Sequence, residues 1–206
     1  MKVLLINGSP HEKGCTYTAL SLIAGELKAQ GIDTEILHVG GQPVGGCIGC
    51  GGCRSGNGCV FGGVVNEAIE KAKTADAFVF GSPVHYASAA GNMASFMDRL
   101  AYAGGKYLAY KPAAVCCSAR RAGTTSTLDQ LVKYPQFFHM PLVNGSYWAM
   151  VHGSNPEQVL QDAEGCAVMQ ELGRHMAWLL HCIEAGKAAG IDHPQNPPRP
   201  MTSFIR

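Results

Sequence analysis

Val3-Leu4-Leu5-Ile6-Asn7-Gly8-Ser9-Pro10, followed by His11-Glu12-Lys13-Gly14-Cys15-Thr16, decides the fold. Four consecutive apolar residues running into small turn residues describe a strand buried on both faces, as in a parallel sheet. Thr16 to Gln30 then carries Leu20, Ile23, Ala24 and Leu27 at helical spacing, and Gly31 ends the run. The unit recurs. Thr34 to Val39 reads as a second strand and Val64 to Lys73 as a helix. Ala77-Phe78-Val79-Phe80 is a third strand, stopped by Gly81-Ser82-Pro83, with a helix from Met93 to Tyr102. Ala113 to Cys117 is a fourth strand, followed by a loop from Ser118 to Thr125 and a helix from Leu128 to Tyr134. Met140 to Tyr147 holds a fifth, shorter strand, and Pro156 opens a long helix to about Ala185. Five strands alternating with helices predict an α/β fold with a five-stranded, doubly wound parallel sheet.

Residues 1–190 are expected to form one unit, with a Gly- and Cys-rich loop at 45–63 inserted in it. The tail, 191–206, carries Pro194, Pro197, Pro198 and Pro200, and reads either as a frayed end or as an arm on a partner subunit. The chain has 206 residues, 47% hydrophobic and only 15% charged, enough to bury a core. A net charge of +1 excludes a chain-wide electrostatic case for nucleic acid or an anionic membrane. The apolar run after Lys2 is too short for a signal peptide or a membrane span. Nine cysteines, four of them crowded between Cys47 and Cys59, do not read as a secreted disulfide framework. The expectation is a reduced, cytoplasmic protein.

Ligands of doubly wound sheets bind beyond the carboxyl ends of the strands. Three loops end there, at Gly8–Thr18, Gly81–Gly91 and Ser118–Thr125, and all are rich in Gly and hydroxyl residues. In the first, small residues let backbone N–H groups converge at a helix N-terminus, and Ser9, Thr16 and Thr18 add hydroxyls. The Lys of a nucleotide-triphosphatase loop and the G-x-G-x-x-G of a dinucleotide site are both missing. A compact monophosphate cradle remains, against the simpler alternative of a turn capped by Thr16. Cys15 lies inside this loop, where its backbone N–H matters more than its thiol.

Cys47-x2-Cys50-x2-Cys53-x5-Cys59 is the sharpest feature. Small spacers let the chain wrap tightly and turn amides toward sulfur, and four thiolates so spaced suit a 4Fe-4S cluster. Three alternatives stand beside it: zinc, redox-active thiols, or an inherited loop that holds nothing. Cys116 and Cys117 read as buried strand residues, and Cys166 and Cys182 as positions on the last helix. Among the eight histidines there is no H-x-x-x-H pair, which argues against a zinc hydrolase.

Together the three loops resemble those of the flavodoxin-like NAD(P)H-dependent FMN reductases. The resemblance rests on Asn7-Gly8-Ser9-Pro10 through Gly14-Cys15-Thr16, on Phe80-Gly81-Ser82-Pro83-Val84-His85-Tyr86 with Phe96-Met97-Asp98-Arg99, and on Ser118-Ala119-Arg120-Arg121-Ala122-Gly123-Thr124. Tyr147-Trp148 and His152-Gly153 resemble a further stretch of that branch, and the cysteine quartet resembles the compact motif of iron–sulfur flavoproteins. The implied fold is a flavodoxin-like three-layer sandwich with helices on both faces of the sheet. The implied FMN site comprises Ser9, His11, Gly14, Cys15, Thr16 and Thr18 around the phosphate. Pro83, Val84, His85, Tyr86 and Ser88 would lie along the ring, and Ser118, Arg120, Arg121, Gly123 and Thr124 would complete the site. Cys47, Cys50, Cys53 and Cys59 would hold the cluster.

The implied activity is an FMN-dependent oxidoreductase. Electrons would pass from NAD(P)H or a protein carrier through FMN to a quinone, a flavin, a nitro compound or the cluster. No dedicated acid–base residue is expected, and the family behaviour implies a homodimer or homotetramer. Two other readings stay open: a non-catalytic flavin and iron–sulfur electron carrier, and a zinc-binding module.

Overall fold

The computed structural model describes residues 1–204. Its strands are β1 (Lys2–Asn7), β2 (Asp33–His38), β3 (Ala77–His85), β4 (Ser88–Ala89), β5 (Ala113–Ala119) and β6 (Met150–His152). Its helices are α1 (Cys15–Ala29), α2 (Val64–Thr74), α3 (Gly91–Gly104), α4 (Thr124–Phe137), α5 (Pro156–Val159) and α6 (Ala163–Ala188). Five strands pair in parallel in the order β2-β1-β3-β5-β6, the doubly wound arrangement expected.

The unbroken apolar strands follow from having helices on both faces. Val3, Leu5, Val79 and Cys116 face one core with α1 and α6, where Ile23, Leu27, Met169 and Leu172 are fully buried. Their alternates Leu4, Ile6, Phe78 and Phe80 face a second core with α2 and α3, against Ile69, Met93 and Phe96. The rings of Phe78 and Phe80 lie parallel with centroids 6.0 Å apart. Each such side chain contributes about 1.5–3 kcal/mol by leaving water, so the two cores dominate stability. Burial also pushes the Cys117 thiol up to about 12 and the Cys116 thiol higher still, so both remain neutral packing groups, as the sequence implied.

The fourth strand runs on to Ala119 and α4 begins at Thr124, inside the expected loop, and four further boundaries differ from expectation. The third strand does not stop at Gly81-Ser82-Pro83. It continues to His85 and turns back as β4, with His85 opposite Ser88 and Val84 opposite Ala89. Tyr86 and Ala87 form the turn with φ of 49° and 59°. A two-residue hairpin needs this left-handed pair, and glycine and asparagine usually supply it. The fifth strand is Met150–His152, not part of Met140–Tyr147. Pro141 has no N–H to give, so this stretch meets the sheet only where Leu142 bridges Ala113. Glu171 Oε2 then accepts from Ser146 N at 2.9 Å and draws the segment away. The helix opened by Pro156 is two. Asn155 caps the first, and Asp162 caps the second by accepting from Gly165 N at 3.0 Å. Asp162 also accepts from His152 N at 2.7 Å, and so ties that break to β6. Finally, α1 starts at Cys15 with Gly14 as its N-cap, so Thr16 sits within the helix.

The described part of the tail, residues 191–204, meets the chain beside Tyr110, at the opposite end of the sheet from the three loops, and residues 205 and 206 lie outside the described residues. Tyr110, before β5, stacks between His139 (5.5 Å) and His193 (4.4 Å), and its Oη accepts from Asn196 Nδ2 at 2.6 Å.

At the sheet edge, Glu35 accepts from both Lys2 and Lys71 at 2.6 Å, which holds its carboxyl below the ordinary carboxylate value. The stabilisation is present above that ordinary value and is lost as pH falls through the lowered one. The group is partly exposed, so Glu35→Gln is expected to cost no more than about 1 kcal/mol at neutral pH. Urea denaturation of both proteins at pH 7 and pH 3.5 should show the difference shrinking at the lower pH.

Candidate functional site

The first loop is shaped by its own side chains. Buried Asn7 accepts from Ser9 N at 3.1 Å through Oδ1 and donates to the Glu12 carbonyl at 2.9 Å through Nδ2. Ser9 Oγ accepts from His11 N at 3.1 Å, which leaves its own proton to donate. His38, at the end of β2, donates from Nε2 to the Ser9 carbonyl at 2.8 Å. Asn7 and His38 are absent from the residues that sequence reasoning picked for the site. Their role is to fix the loop, and only the neighbouring strand reveals the second.

Beneath the loop, α1 begins without a capping side chain and without an acid in its first turn. Its first N–H groups therefore lack both an intrahelical partner and a cap. An anion would complete them. Thr16 Oγ1 and Ser118 Oγ share a hydrogen bond of 2.8 Å, both residues nearly fully buried. This bond joins the first loop to the third. Thr18 turns away from the expected donor role: its Oγ1 donates to the Gly14 carbonyl at 3.2 Å. Cys15 donates its thiol to the Gly153 carbonyl at 3.5 Å, and burial raises its pKa, so the thiol is neutral.

The second loop is the hairpin of β3 and β4. Buried Ser82 accepts from Ala90 N at 3.0 Å and donates to the Pro83 carbonyl at 2.9 Å, closing the hairpin base. Pro83 and Val84 are half-buried, while His85, Tyr86 and Ser88 are exposed. The strained tip is held by the end of the third loop and the first turn of α4. Ser126 Oγ donates to the Ala87 carbonyl at 2.7 Å. Gly123, at φ 92°, lies so near that a Cβ there would come within 2.7 Å of Ala87 Cα. Arg120 and Arg121 are exposed, and neither has an acid partner among the described residues. Thr124, the first residue of α4, is buried.

The cysteine segment packs on α2 and α3. Asn66 on α2 accepts from Cys59 N at 2.8 Å and donates to the Cys59 carbonyl at 3.0 Å. Asn92 on α3 donates to the Gly40 and Gln42 carbonyls at 3.2 and 3.0 Å and accepts from Val44 N. Farther along α3, Arg99 reaches the far end of the loop. Cys47, Cys50, Cys53 and Cys59 all line one cavity of about 440 Å³, together with Arg54, Phe61, Arg99 and Tyr102. Among the described residues no three His, Cys, Asp or Glu side chains gather tightly enough for a single ion. Four thiols in one lining are a donor set that suits either an iron–sulfur cluster or zinc.

A parallel sheet with an anion-ready helix start and two further loops at its carboxyl edge defines a flavodoxin-like nucleotide-binding protein. A family model described as NADPH-dependent FMN reductase matches residues 1–155. The chain belongs to that family, and it is an FMN-dependent oxidoreductase of the FMN-reductase kind. It is 27% identical to an iron–sulfur flavoprotein of Methanocaldococcus jannaschii, over 89% of this chain and all of the relative. A second iron–sulfur flavoprotein, from Archaeoglobus fulgidus, is 35% identical over 48% of each chain. Among solved structures, an NADH:FMN oxidoreductase superposes with a TM-score of 0.64 at 18% identity, covering 86% of this chain and 89% of that one. An archaeal flavodoxin gives 0.60 at 14% identity, with 88% and 99% covered. These two likenesses establish the fold. No helix among the described residues is long and apolar enough to cross a membrane.

Gly123→Ala is expected to lower stability by about 1–3 kcal/mol, because it forces a side chain into left-handed backbone against the hairpin tip. Gly25→Ala, in α1 with open space around its Cβ position, should instead raise stability by about 0.5–1 kcal/mol. Urea midpoints of the two variants check the contrast.

Proposed function

We propose that the protein takes electrons from NAD(P)H or a protein carrier, passes them through FMN, and delivers them to a small acceptor or redox protein, with a 4Fe-4S cluster on Cys47, Cys50, Cys53 and Cys59. The observation that carries the FMN part is the buried Thr16–Ser118 bond, which locks the first and third loops around an uncapped helix start. FMN, when bound, supplies the exchange of electrons between two-electron and one-electron partners. In this reading the first N–H groups of α1, with the hydroxyls of Ser9 and Thr16, hold the phosphate. His11, Gly14, Cys15 and Thr18 shape that cradle. Pro83, Val84, His85, Tyr86 and Ser88 back the ring with a strand edge that is stiff at Pro83. Ser118, Gly123 and Thr124 hold the third loop. Arg120 and Arg121, lacking acid partners, offset negative charge that the ring gathers on reduction.

The cluster part is supported by the shared cavity, by the relatives' names, and by the charge around the thiols. Arg54 and Arg99 line that cavity and no acid does, which suits an anionic group. The unit that binds FMN is residues 1–190, assembled as a homodimer or homotetramer. The nine free cysteines fit a reducing compartment such as the cytoplasm.

An absorption spectrum of protein purified without oxygen, before and after dithionite, tests both parts. Flavin bands with a broad brown shoulder, all bleaching, are expected. Flavin bands alone remove the cluster, and colourless protein that does not take up added FMN removes the whole reading. Cys50→Ser should lose iron and sulfide while keeping FMN. Thr16→Val should weaken FMN about tenfold, the equivalent of one buried hydrogen bond of ~1.4 kcal/mol, as read by quenching of flavin fluorescence.

A further inference from the structure

Arg99 is only 6% exposed, yet no carboxylate pairs with it among the described residues. The neighbouring Asp98 is engaged elsewhere, accepting from Tyr134 Oη at 2.6 Å. A buried guanidinium without an anion is costly, and neutral carbonyls offset only part of that cost. The three groups that Arg99 does meet all belong to the cysteine loop. Nε donates to Cys59 Sγ at 3.2 Å, Nη2 to the Gly62 carbonyl at 3.0 Å, and Nη1 to the Gly45 carbonyl at 3.4 Å. The Phe61 ring covers the guanidinium at 5.5 Å. Among the described residues, the one ionisable group that Arg99 hydrogen-bonds is thus the Cys59 sulfur, in the thiol-lined cavity.

We propose that Arg99 is a positioning residue for the cluster: it clamps both ends of the cysteine loop to α3, and its charged hydrogen bond to the Cys59 sulfur raises the cluster's reduction potential. The inference rests on the cluster reading above. One-electron reduction adds a negative charge to the cluster. A fixed cation and an N–H donor at a ligand sulfur stabilise the more negative state, so reduction becomes easier. Arg54 also lines the cavity, but it is exposed and solvent screens its charge. The fork geometry matters as much as the charge. Lysine would keep the cation but could not serve Sγ and two carbonyls on separate loop segments at once.

The test compares wild type, Arg99→Lys and Arg99→Met, all purified without oxygen. Iron and sulfide are assayed first, and a dithionite titration is then followed by EPR for the cluster and by absorbance for FMN. Arg99→Met is expected to shift the cluster potential to more negative values, with Arg99→Lys between it and wild type. The FMN potential should stay in place in both variants. Wild type that lacks iron and sulfide overturns this proposal together with the cluster reading. Wild type that is loaded, with an unmoved cluster potential in Arg99→Met, overturns this proposal alone. Should Arg99→Met load little iron, Arg99→Lys decides: a full complement of iron with unchanged potential and unchanged EPR signal overturns the proposal.

Discussion

Parallel register is the constraint on which the site depends. Asn7 lies opposite Gly81, and Ser82 and Pro83 lie opposite Cys117 and Ser118, so β1 and β5 end within about two rungs of each other along β3, which runs on to His85. A parallel ladder admits no other way to bring Gly8, Pro83 and Ser118 side by side, since their loops are separated by tens of residues in the chain. The register is set by burial on both faces. A slip of one residue would exchange the Val3 and Leu5 side chains with those of Leu4 and Ile6, and each set already fills its own core.

On that frame, α3 connects the two halves of the site. It follows directly from the hairpin through Ala90, whose N–H is held by Ser82. Its first turn holds residues 40–44, just before the cysteine loop, through Asn92, and two turns later Arg99 holds both ends of the loop at Gly45 and Gly62. Met93 lies between them, against Gly8 of the first loop. One helix thus touches the first loop, the hairpin and the cysteine loop. Movement of any one of these segments would be felt by the others through a packed side chain, not through solvent.

Much of this was legible in the sequence. The apolar runs at Val3–Ile6 and Ala77–Phe80 specify parallel strands, and the position of the three loops follows from topology alone. Local chemistry misled at the places where a tertiary partner outweighs it. Tyr86-Ala87 carries no turn signal, because its left-handed backbone is sustained by Gly123 at the end of the third loop and Ser126 in the first turn of α4. Met140–Tyr147 has strand-like composition, but Pro141 and the pull of Glu171 on Ser146 deny it a ladder. The helix break at Leu160–Asp162 exists because Asp162 serves β6 and α6 at once. His38 and Asn92 were silent for the same reason, and Arg99, though in a stretch that carries the family resemblance, gave no sign of what it would hold. A lone polar residue on a strand or helix does not reveal which distant backbone it will hold.

The double anchorage of the cysteine loop on α3 has a consequence for its separability. A surface insertion joined only at its two ends can be trimmed or grafted at small cost, since loop length enters stability only logarithmically. This segment is different. Excising it would remove Cys59 from its packing against the second core and strand a cation inside the protein, with Phe61 gone from its face. The thiol-bearing stretch is therefore part of the wall of the second core, and shortening it is a change to the body of the protein, whatever the cavity holds.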